Sequence, residues 1–191
     1  MIVTIARQCG CGGDEIGEKL AERLNIPFYD RKKLTEAAKE KGLIDKHPNF
    51  FAENPVNSLL YAIAAGENNI QITDVPKQIY DAIIADGDGV IVGRCGNFAY
   101  RDSDRAVRVF LSGDLNKRID RICEEHGYSN RKEGENLVKE YDDRRASFHK
   151  FNTGQAWGSA RYYDICIDVT RLGEEESIEL ILDYIKRVKM Q

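Results

Sequence analysis

The sequence lacks several features that would assign it to a special class of proteins. No apolar run is long enough to span a bilayer, and no targeting segment precedes the first β-type run, so we expect a cytoplasmic protein without a membrane partner. The chain has only four prolines and no repeats or low-complexity segments. Its net charge of −4 argues against a nucleic-acid partner, because proteins that bind nucleic acid usually present a basic surface. We therefore expect a globular domain, either a monomer or a homodimer.

Cysteine and histidine are too few and too scattered to form a recognisable metal site. The chain has five cysteines and three histidines, and Cys9 and Cys11 form the only close pair. No second Cys/His pair follows at the spacing of a zinc finger. We expect the thiols to be reduced and mostly buried, as is usual for a cytoplasmic protein.

What the sequence does contain is an alternation of short β-type runs and amphipathic helical patterns. The β-type runs cover residues 2–5, 27–29, 90–93, 105–111 and 165–169. Apolar residues at helical spacing predict helices over 13–25, 32–41, 57–65, 75–86, 115–125 and 132–148, with a closing helix marked by Ile178, Leu182, Ile185 and Val188. Polar connectors such as residues 45–49 separate the helices. This alternation predicts a three-layer α/β fold with a parallel five-stranded sheet.

The most informative segment is the glycine-rich stretch after the first strand. Residues 6–17 read Ala-Arg-Gln-Cys-Gly-Cys-Gly-Gly-Asp-Glu-Ile-Gly and lead from a strand into a helix, where backbone amides can close around a phosphate. The usual pattern G-x-x-x-x-G-K-[ST] is incomplete. Aligned on Gly12, the first glycine is Arg7, the lysine is Gly13 and the hydroxyl residue is Asp14. The glycines could instead serve only as a tight turn against the sheet.

Positive charges lie where phosphoryl transfer would need them. Arg7 and Arg94 end strands, and the carboxyl ends of parallel strands meet at one edge of the sheet. Further basic residues lie on the helix after the fourth strand and around the aromatic segment 151–158, which we predict to be a mobile loop over the substrate: Arg118, Arg121, Arg144, Arg145, Lys150 and Arg161. They could alternatively be solvated or paired with nearby carboxylates such as Glu140, Asp142 and Asp143.

Four segments together resemble the cytidylate kinase-like family, a branch of the P-loop nucleoside monophosphate kinases. They are residues 7–17, 28–30, 90–94 and 152–158. The resemblance extends over nearly the whole chain. It implies a single P-loop NTPase domain over residues 1–191, with a helical monophosphate-binding insertion at 31–86 and a lid at 125–163. The activity it implies is phosphoryl transfer from ATP, assisted by Mg²⁺, to a pyrimidine nucleoside monophosphate such as CMP.

The same resemblance gives the candidate residues their roles, except that those of Arg7 and Asp14 follow from the missing lysine and hydroxyl residue. Those expected to hold the donor nucleotide are Cys9, Gly10, Cys11, Gly12, Gly13, Asp14, Glu15, Arg118 and Arg121. The candidate catalytic cations are Arg7, Arg94, Arg144 and Arg145, and the candidate acceptor contacts are Asp30, Arg31 and Arg94. Asp14 is a candidate Mg²⁺ ligand in place of the missing hydroxyl residue. Asp30 could instead only cap the helix that follows it.

Departures from the family pattern leave three functional hypotheses. Cys95 replaces the aspartate after Arg94, Arg31 stands where a serine is expected, and Glu36 stands at an expected arginine. The first hypothesis is a nucleoside monophosphate kinase. The second, suggested by the missing lysine, is a catalytically weak or inactive protein that binds a nucleotide or another phosphorylated ligand. The third, suggested by the altered acceptor residues, is a kinase of an unrelated small alcohol.

Overall fold

A computed structural model describes residues 1–52 and 75–189, and it is built on a five-stranded parallel sheet. The strands are β1 (Ile2–Arg7), β2 (Phe28–Tyr29), β3 (Gly89–Val92), β4 (Ala106–Ser112) and β5 (Ile165–Asp168). They lie in the order β2-β3-β1-β4-β5, so that β1 is central. Ile5 of β1 is in register with Val92 of β3 and Val109 of β4. The predicted parallel α/β architecture is confirmed.

Helices cover both faces of this sheet. Their bounds are α1 (Gly13–Leu24), α2 (Arg31–Glu40), α3 (Leu43–Lys46), α4 (Pro48–Phe51), α5 (Val75–Ile83), α6 (Gly96–Ala99), α7 (Leu115–His126), α8 (Arg131–Thr153), α9 (Val169–Leu172) and α10 (Glu174–Lys189), with a 3₁₀ turn at Ala160–Tyr162. Helices α1 and α10 pack on one face, whereas α2, α5 and α6 pack on the other. Helices α7 and α8 pack against each other beside the loop that follows β1.

The alternation of side chains along β1 supplies both hydrophobic layers. Val3 and Ile5 are fully buried against α1 and α10, whereas Ile2 is buried against α2 and α5 on the opposite face. This alternation follows from the two-residue period of a strand. A third, smaller cluster joins Cys9 to α7 and α8. The loop after β1 is therefore fixed between the sheet and these two helices.

The structure differs from the sequence-based prediction at two places near the sheet edge. Helix α8 continues to Thr153, five residues beyond the predicted end, so that the first part of the predicted mobile loop is helical. The Thr153 hydroxyl donates to the carbonyl of His149 at 2.6 Å, and Gly154, with φ +71°, ends the helix in a left-handed conformation. The predicted connector at 45–49 instead contains α3 and α4, because Phe50 and Phe51 are drawn into the core.

Two further expectations from the sequence concern the insertion at residues 31–86 and the absence of a membrane span. The helix predicted over residues 57–65 lies outside the described residues, as does part of the 31–86 insertion. Within residues 1–52 and 75–189, no helix is both long enough and apolar enough to cross a membrane.

Candidate active site

The loop between β1 and α1 has a backbone shape that favours glycine at two positions. Gly10 and Gly12 have φ angles of +79° and +61°, in the left-handed region. A Cβ on Gly10 would also lie 2.7 Å from the backbone oxygen of Arg118. Gln8 anchors the start of the loop: its amide donates to the Leu111 carbonyl at 3.0 Å, and its side-chain oxygen accepts from the Gly113 amide at 3.1 Å.

The backbone amides at the start of α1, where the loop ends, have no side-chain cap. No side chain caps this helix, and the first backbone bond of α1 runs from the Ile16 amide to the Gly12 carbonyl at 2.9 Å. Within the described part of the chain, the amides of Gly13, Asp14 and Glu15 have no hydrogen-bond acceptor. Free amides at the positive end of a helix dipole form a natural anion-binding site.

Arg7 crosses this site from the end of β1. A Cβ on Gly13 would lie 2.5 Å from Cγ of Arg7, and a Cβ on Gly93 would lie 2.6 Å from its Nη1, so both glycines make room for the side chain. Nη2 of Arg7 donates to both carboxylate oxygens of Asp14 at 3.0 Å. Its Nε is buried without a partner in the described residues. Arg7 therefore places a mostly buried guanidinium beside the position where phosphate loops usually carry lysine.

Two cavities meet at Arg7. The larger, which we call the main cavity, has a volume of about 470 Å³, and the smaller, the loop cavity, has about 240 Å³ and is lined by residues 7–15 and parts of α7 and α8. The side chains that line both are Arg7, Asp14, Tyr141 and Arg145. Six cationic side chains line the main cavity against two carboxylates: Arg7, Arg31, Lys32, Arg94, Arg144 and Arg145 against Asp14 and Asp30. The main cavity thus favours an anionic ligand.

Arg94 is held at the wall of the main cavity by aromatic and backbone contacts. It follows β3 in a left-handed conformation, with φ +47°, and the Tyr80 hydroxyl donates to its carbonyl at 3.2 Å. Its guanidinium lies 4.6 Å from the Phe148 ring centroid and donates to the carbonyls of Phe50 and Ala52. Cys95 beside it is buried, and burial raises the pKa of its thiol.

Helix α8 contributes the two arginines that the sequence predicts for the lid. Arg145 lies between the cavities, and its Nη1 donates to the Arg7 carbonyl at 3.2 Å. Burial and, to a smaller extent, the nearby charge of Arg7 together lower the pKa of this guanidinium to about 10. Arg144 lines the main cavity and forms an ion pair with Glu140 at 3.5 Å. Both residues reach the cavities from the rigid helix and not from a loop.

The structure places Arg118 and Arg121 differently from each other. Arg118 is only 5% exposed and lines neither cavity; it donates to the carbonyls of Cys9 and Gly113, both at 3.1 Å. Arg121 lines the loop cavity, where it forms ion pairs with three carboxylates, those of Glu15, Glu125 and Glu174. The side chain of Arg118 thus contacts the backbone of the loop, whereas Arg121 is held by acidic neighbours.

Asp30 and Arg31 lie together at the rim of the main cavity. Asp30 is the N-cap of α2, and its Oδ1 accepts from the Lys33 amide at 2.7 Å. The capping interpretation is therefore confirmed, although the same side chain lines the cavity. Arg31 is exposed at this rim. Glu36 is exposed and does not line either cavity.

Sequence reasoning missed three polar residues of the main cavity: Thr4, Asn97 and His149. Each is at least 95% buried and has a polar side-chain atom without a regular hydrogen bond in the described residues. Burial lowers the pKa of His149 to about 4, so its imidazole is neutral near pH 7. Trp157, which the sequence did single out, also lines this cavity and packs edge-on against Phe110 with 5.4 Å between ring centroids. Nothing in the sequence pattern of a strand or helix indicates that a single polar residue in it lines a cavity.

The cysteines and carboxylates around the loop do not form a preformed metal centre. Within residues 1–52 and 75–189, no three His, Cys, Asp or Glu side chains are grouped to hold a metal ion. Cys9 and Cys11 are both buried, and burial raises the pKa of Cys11 to about 11. Asp14 is half-exposed at the first turn of α1. It can supply one carboxylate, which is how Mg²⁺ is often held when phosphates and water provide the other ligands.

Comparison with models of protein families shows to which family the chain belongs. The model of the cytidylate kinase-like family matches residues 2–171. The chain belongs to the cytidylate kinase-like family. A search of curated protein sequences gives no significant match.

Solved structures support the fold of this family member. An uncharacterized protein from Eubacterium ventriosum ATCC 27560 is 28% identical, with a TM-score of 0.74 and 98% of each chain covered. A gluconokinase from Sinorhizobium meliloti 1021 is 14% identical, with a TM-score of 0.54 over 99% of this chain and 95% of that one. Shikimate kinase from Acinetobacter baumannii is 13% identical, with a TM-score of 0.51 over 100% and 95%. At such low identity the two kinases show a shared P-loop kinase fold alone. Family and fold together support a phosphotransferase that acts on a nucleotide or another small molecule.

Proposed function

We propose that this protein transfers a phosphoryl group from ATP to a pyrimidine nucleoside monophosphate such as CMP. The observation that carries the proposal is the meeting of the two cavities at Arg7, Asp14, Tyr141 and Arg145. A kinase must bring its donor and acceptor together at one point that is rich in positive charge. The two arginines at this junction provide that charge.

In this proposal the donor's phosphates bind at the loop. The free amides at the start of α1 receive phosphate oxygens, and Arg7 takes the place of the lysine by approaching the transferred group from β1. Arg145 approaches the same point from α8. Arg121, in the loop cavity, lies on the side where the rest of the donor would extend.

Asp14 would hold Mg²⁺ against the donor. It stands beside the free amides and is half-exposed, so a hydrated cation can reach it. When bound, Mg²⁺ would neutralise charge on the donor phosphates. Binding at Asp14 would also release Arg7 from its present ion pair and leave its guanidinium free for phosphate oxygens.

The acceptor would occupy the main cavity, with its anionic group toward the junction. Arg94, Arg144 and Arg31 line this cavity with Asp30 at the rim, and Trp157 and Phe148 supply apolar surface. Arg94 already donates to two backbone carbonyls, so its contribution to acceptor binding depends on exchanging those contacts. The acceptor's identity rests on the family resemblance, because the cavity's charge alone also suits other small anions.

The test is a coupled assay over the common nucleoside monophosphates, with ATP and GTP as donors and Mg²⁺ or Mn²⁺ as the metal. We expect ADP formation that depends on the acceptor and is fastest with CMP or UMP. Arg7→Gln should lower kcat by more than about a hundredfold with both donors, because it removes the cation nearest the transferred group. Absence of turnover with every acceptor at high enzyme concentration would refute the kinase proposal.

A second candidate, a binding protein without turnover, is favoured by one observation. Arg7 is already paired with Asp14, so the cation nearest the loop has a carboxylate partner in the absence of a nucleotide. In this case Mg-ATP or CMP should raise Tm, because a ligand that binds only the native state stabilises it. Such a shift without turnover would favour this candidate, and the absence of a shift with nucleotides and with phosphorylated metabolites would refute it.

A further inference from the structure

Side chains of two helices hold the backbone of Cys9 from both sides. Its N–H donates to Oδ1 of Asp142 on α8 at 2.7 Å, and its carbonyl accepts from Nη1 of Arg118 on α7 at 3.1 Å. Nη1 of Arg118 also donates to Oδ2 of Asp142 at 2.8 Å. These three hydrogen bonds close a ring around the backbone of one residue of the phosphate loop.

This ring is mostly shielded from water. The side chain of Arg118 is 6% exposed and that of Asp142 is 19% exposed. Charged hydrogen bonds at such burial are strong, and loss of one partner leaves the other charge unpaired. Arg145, one helical turn after Asp142, adds its contact with the Arg7 carbonyl. Helix α8 therefore fixes the loop backbone at residues 7 and 9.

We propose that Asp142 is a positioning residue that holds the phosphate loop in its anion-binding shape, so that donor binding depends on helix α8. The choice of Mg-ATP as the ligand rests on the proposed function. The effect of Asp142 on the order of the loop does not depend on that function. Asp142 occupies the amide of Cys9, a residue predicted from the sequence to hold the donor, so the amides that begin α1 are the ones left for the phosphates. Its negative charge is balanced by Arg118 and, at 4.0 Å, by Arg145, so that it does not repel a phosphate group.

This role differs from the one that the sequence suggests. The spacing on α8 predicts that its carboxylates pair with basic neighbours on the same helix. Glu140 and Asp143 do so, with Arg144 at 3.5 Å and Lys139 at 3.1 Å. Asp142 also lies 4.0 Å from Arg145 on the same helix, but it accepts its hydrogen bonds from the Cys9 amide, 133 residues away, and from Arg118 on α7. The adjacent Asp143 is 66% exposed and pairs with Lys139, away from the loop, which makes it a matched control.

The test compares Asp142→Asn with Asp143→Asn in the full-length protein. Hydrogen–deuterium exchange of the peptide that covers residues 6–12 measures loop order, and calorimetric titration with Mg-ATP measures donor binding. For Asp142→Asn we expect loop exchange to accelerate and Mg-ATP affinity to fall by about tenfold, because a charged hydrogen-bond partner is lost. In Asp142→Asn the KM for Mg-ATP should rise, whereas the KM for CMP should stay unchanged. Asp143→Asn should match the wild type in all four measurements.

A double variant guards against simple unfolding. Arg118→Met with Asp142→Leu removes both charges of the ring, so neither is left buried without its partner, and we expect the variant to fold and still to lose loop protection. Wild-type loop exchange in Asp142→Asn or in the double variant would overturn the proposal. So would unchanged Mg-ATP affinity in both. If the wild type shows no turnover, the proposed function fails, but the exchange experiment still decides the role of Asp142.

Discussion

Restoring the missing lysine by Gly13→Lys should damage the protein when it is the only change. A Cβ on residue 13 would lie 2.5 Å from Cγ of Arg7 and 3.0 Å from its Cβ and Cδ. These atoms are at the root of the Arg7 side chain and cannot swing away without moving the end of β1. Overpacking of this kind costs about 1–3 kcal/mol, whereas the better helix propensity of lysine returns at most about 1 kcal/mol. We expect a net loss of about 1–2 kcal/mol, or roughly 2–8 °C in Tm for a chain of this size.

The double variant Arg7→Gly with Gly13→Lys should reverse this loss. The chain has arginine where phosphate loops have their first glycine, and glycine where they have lysine. Exchanging both residues removes the clash and returns a cation to the helix side of the loop. We expect a favourable coupling free energy of about 1–3 kcal/mol between the two sites, as for other residues in contact.

The assay is urea unfolding of the wild type, both single variants and the double variant, with Mg-ATP titration of each. Arg7→Gly alone should weaken Mg-ATP binding, and the double variant should regain most of it. Two results would contradict this reasoning: wild-type stability of Gly13→Lys, or strictly additive effects of the two changes. Either would mean that the Arg7 side chain does not occupy the space above Gly13.

Two further predictions concern buried polar side chains of the main cavity. Because burial lowers the pKa of His149 to about 4, the unfolded chain takes up a proton below about pH 6.5 while the native protein resists it until about pH 4. Stability should therefore fall by about 3 kcal/mol more between pH 7 and pH 4 in the wild type than in His149→Phe, as measured by urea unfolding. Thr4→Val should keep or raise Tm because the Thr4 hydroxyl has no partner in the described residues, whereas Thr153→Val should lose about 1 kcal/mol because that hydroxyl bonds to the His149 carbonyl and the Gln155 amide. Equal melting of the two threonine variants would contradict this explanation.

The architecture was predictable from sequence because its signals are local. Each strand is a short apolar run, and each long helix shows the spacing that buries one face. The end of α8 was not predictable, because Thr153 and Gly154 resemble loop residues until the hydroxyl-to-carbonyl bond within the helix is seen. Helices α3 and α4 were missed for a different reason. They are only four residues long, and the burial of Phe50 and Phe51 against distant elements gives them their order.

The candidate site was predictable in its strand ends, in its glycine loop and in the two arginines of α8. Arg7 and Arg94 follow parallel strands, and topology alone brings them to one edge of the sheet. The partners of the helix residues depend on contacts between remote parts of the chain. Arg118 and Asp142 meet at Cys9 because α7 and α8 pack against each other over the loop. No spacing rule within one helix contains that information.

The ion pair between Arg7 and Asp14 bears directly on the choice between kinase and binding protein. Asp14 is 54% exposed, and an ion pair with so exposed a partner contributes about 0–1 kcal/mol. A donor nucleotide offers several phosphate charges to the same guanidinium, and the uncapped amides of α1 add to their attraction. Exchanging Asp14 for phosphate therefore costs little, and Mg²⁺ at the released carboxylate would offset that cost. On the proposed function, the pair is consequently a weak obstacle to donor binding, and Arg7 would supply the charge that the missing lysine carries in other phosphate loops.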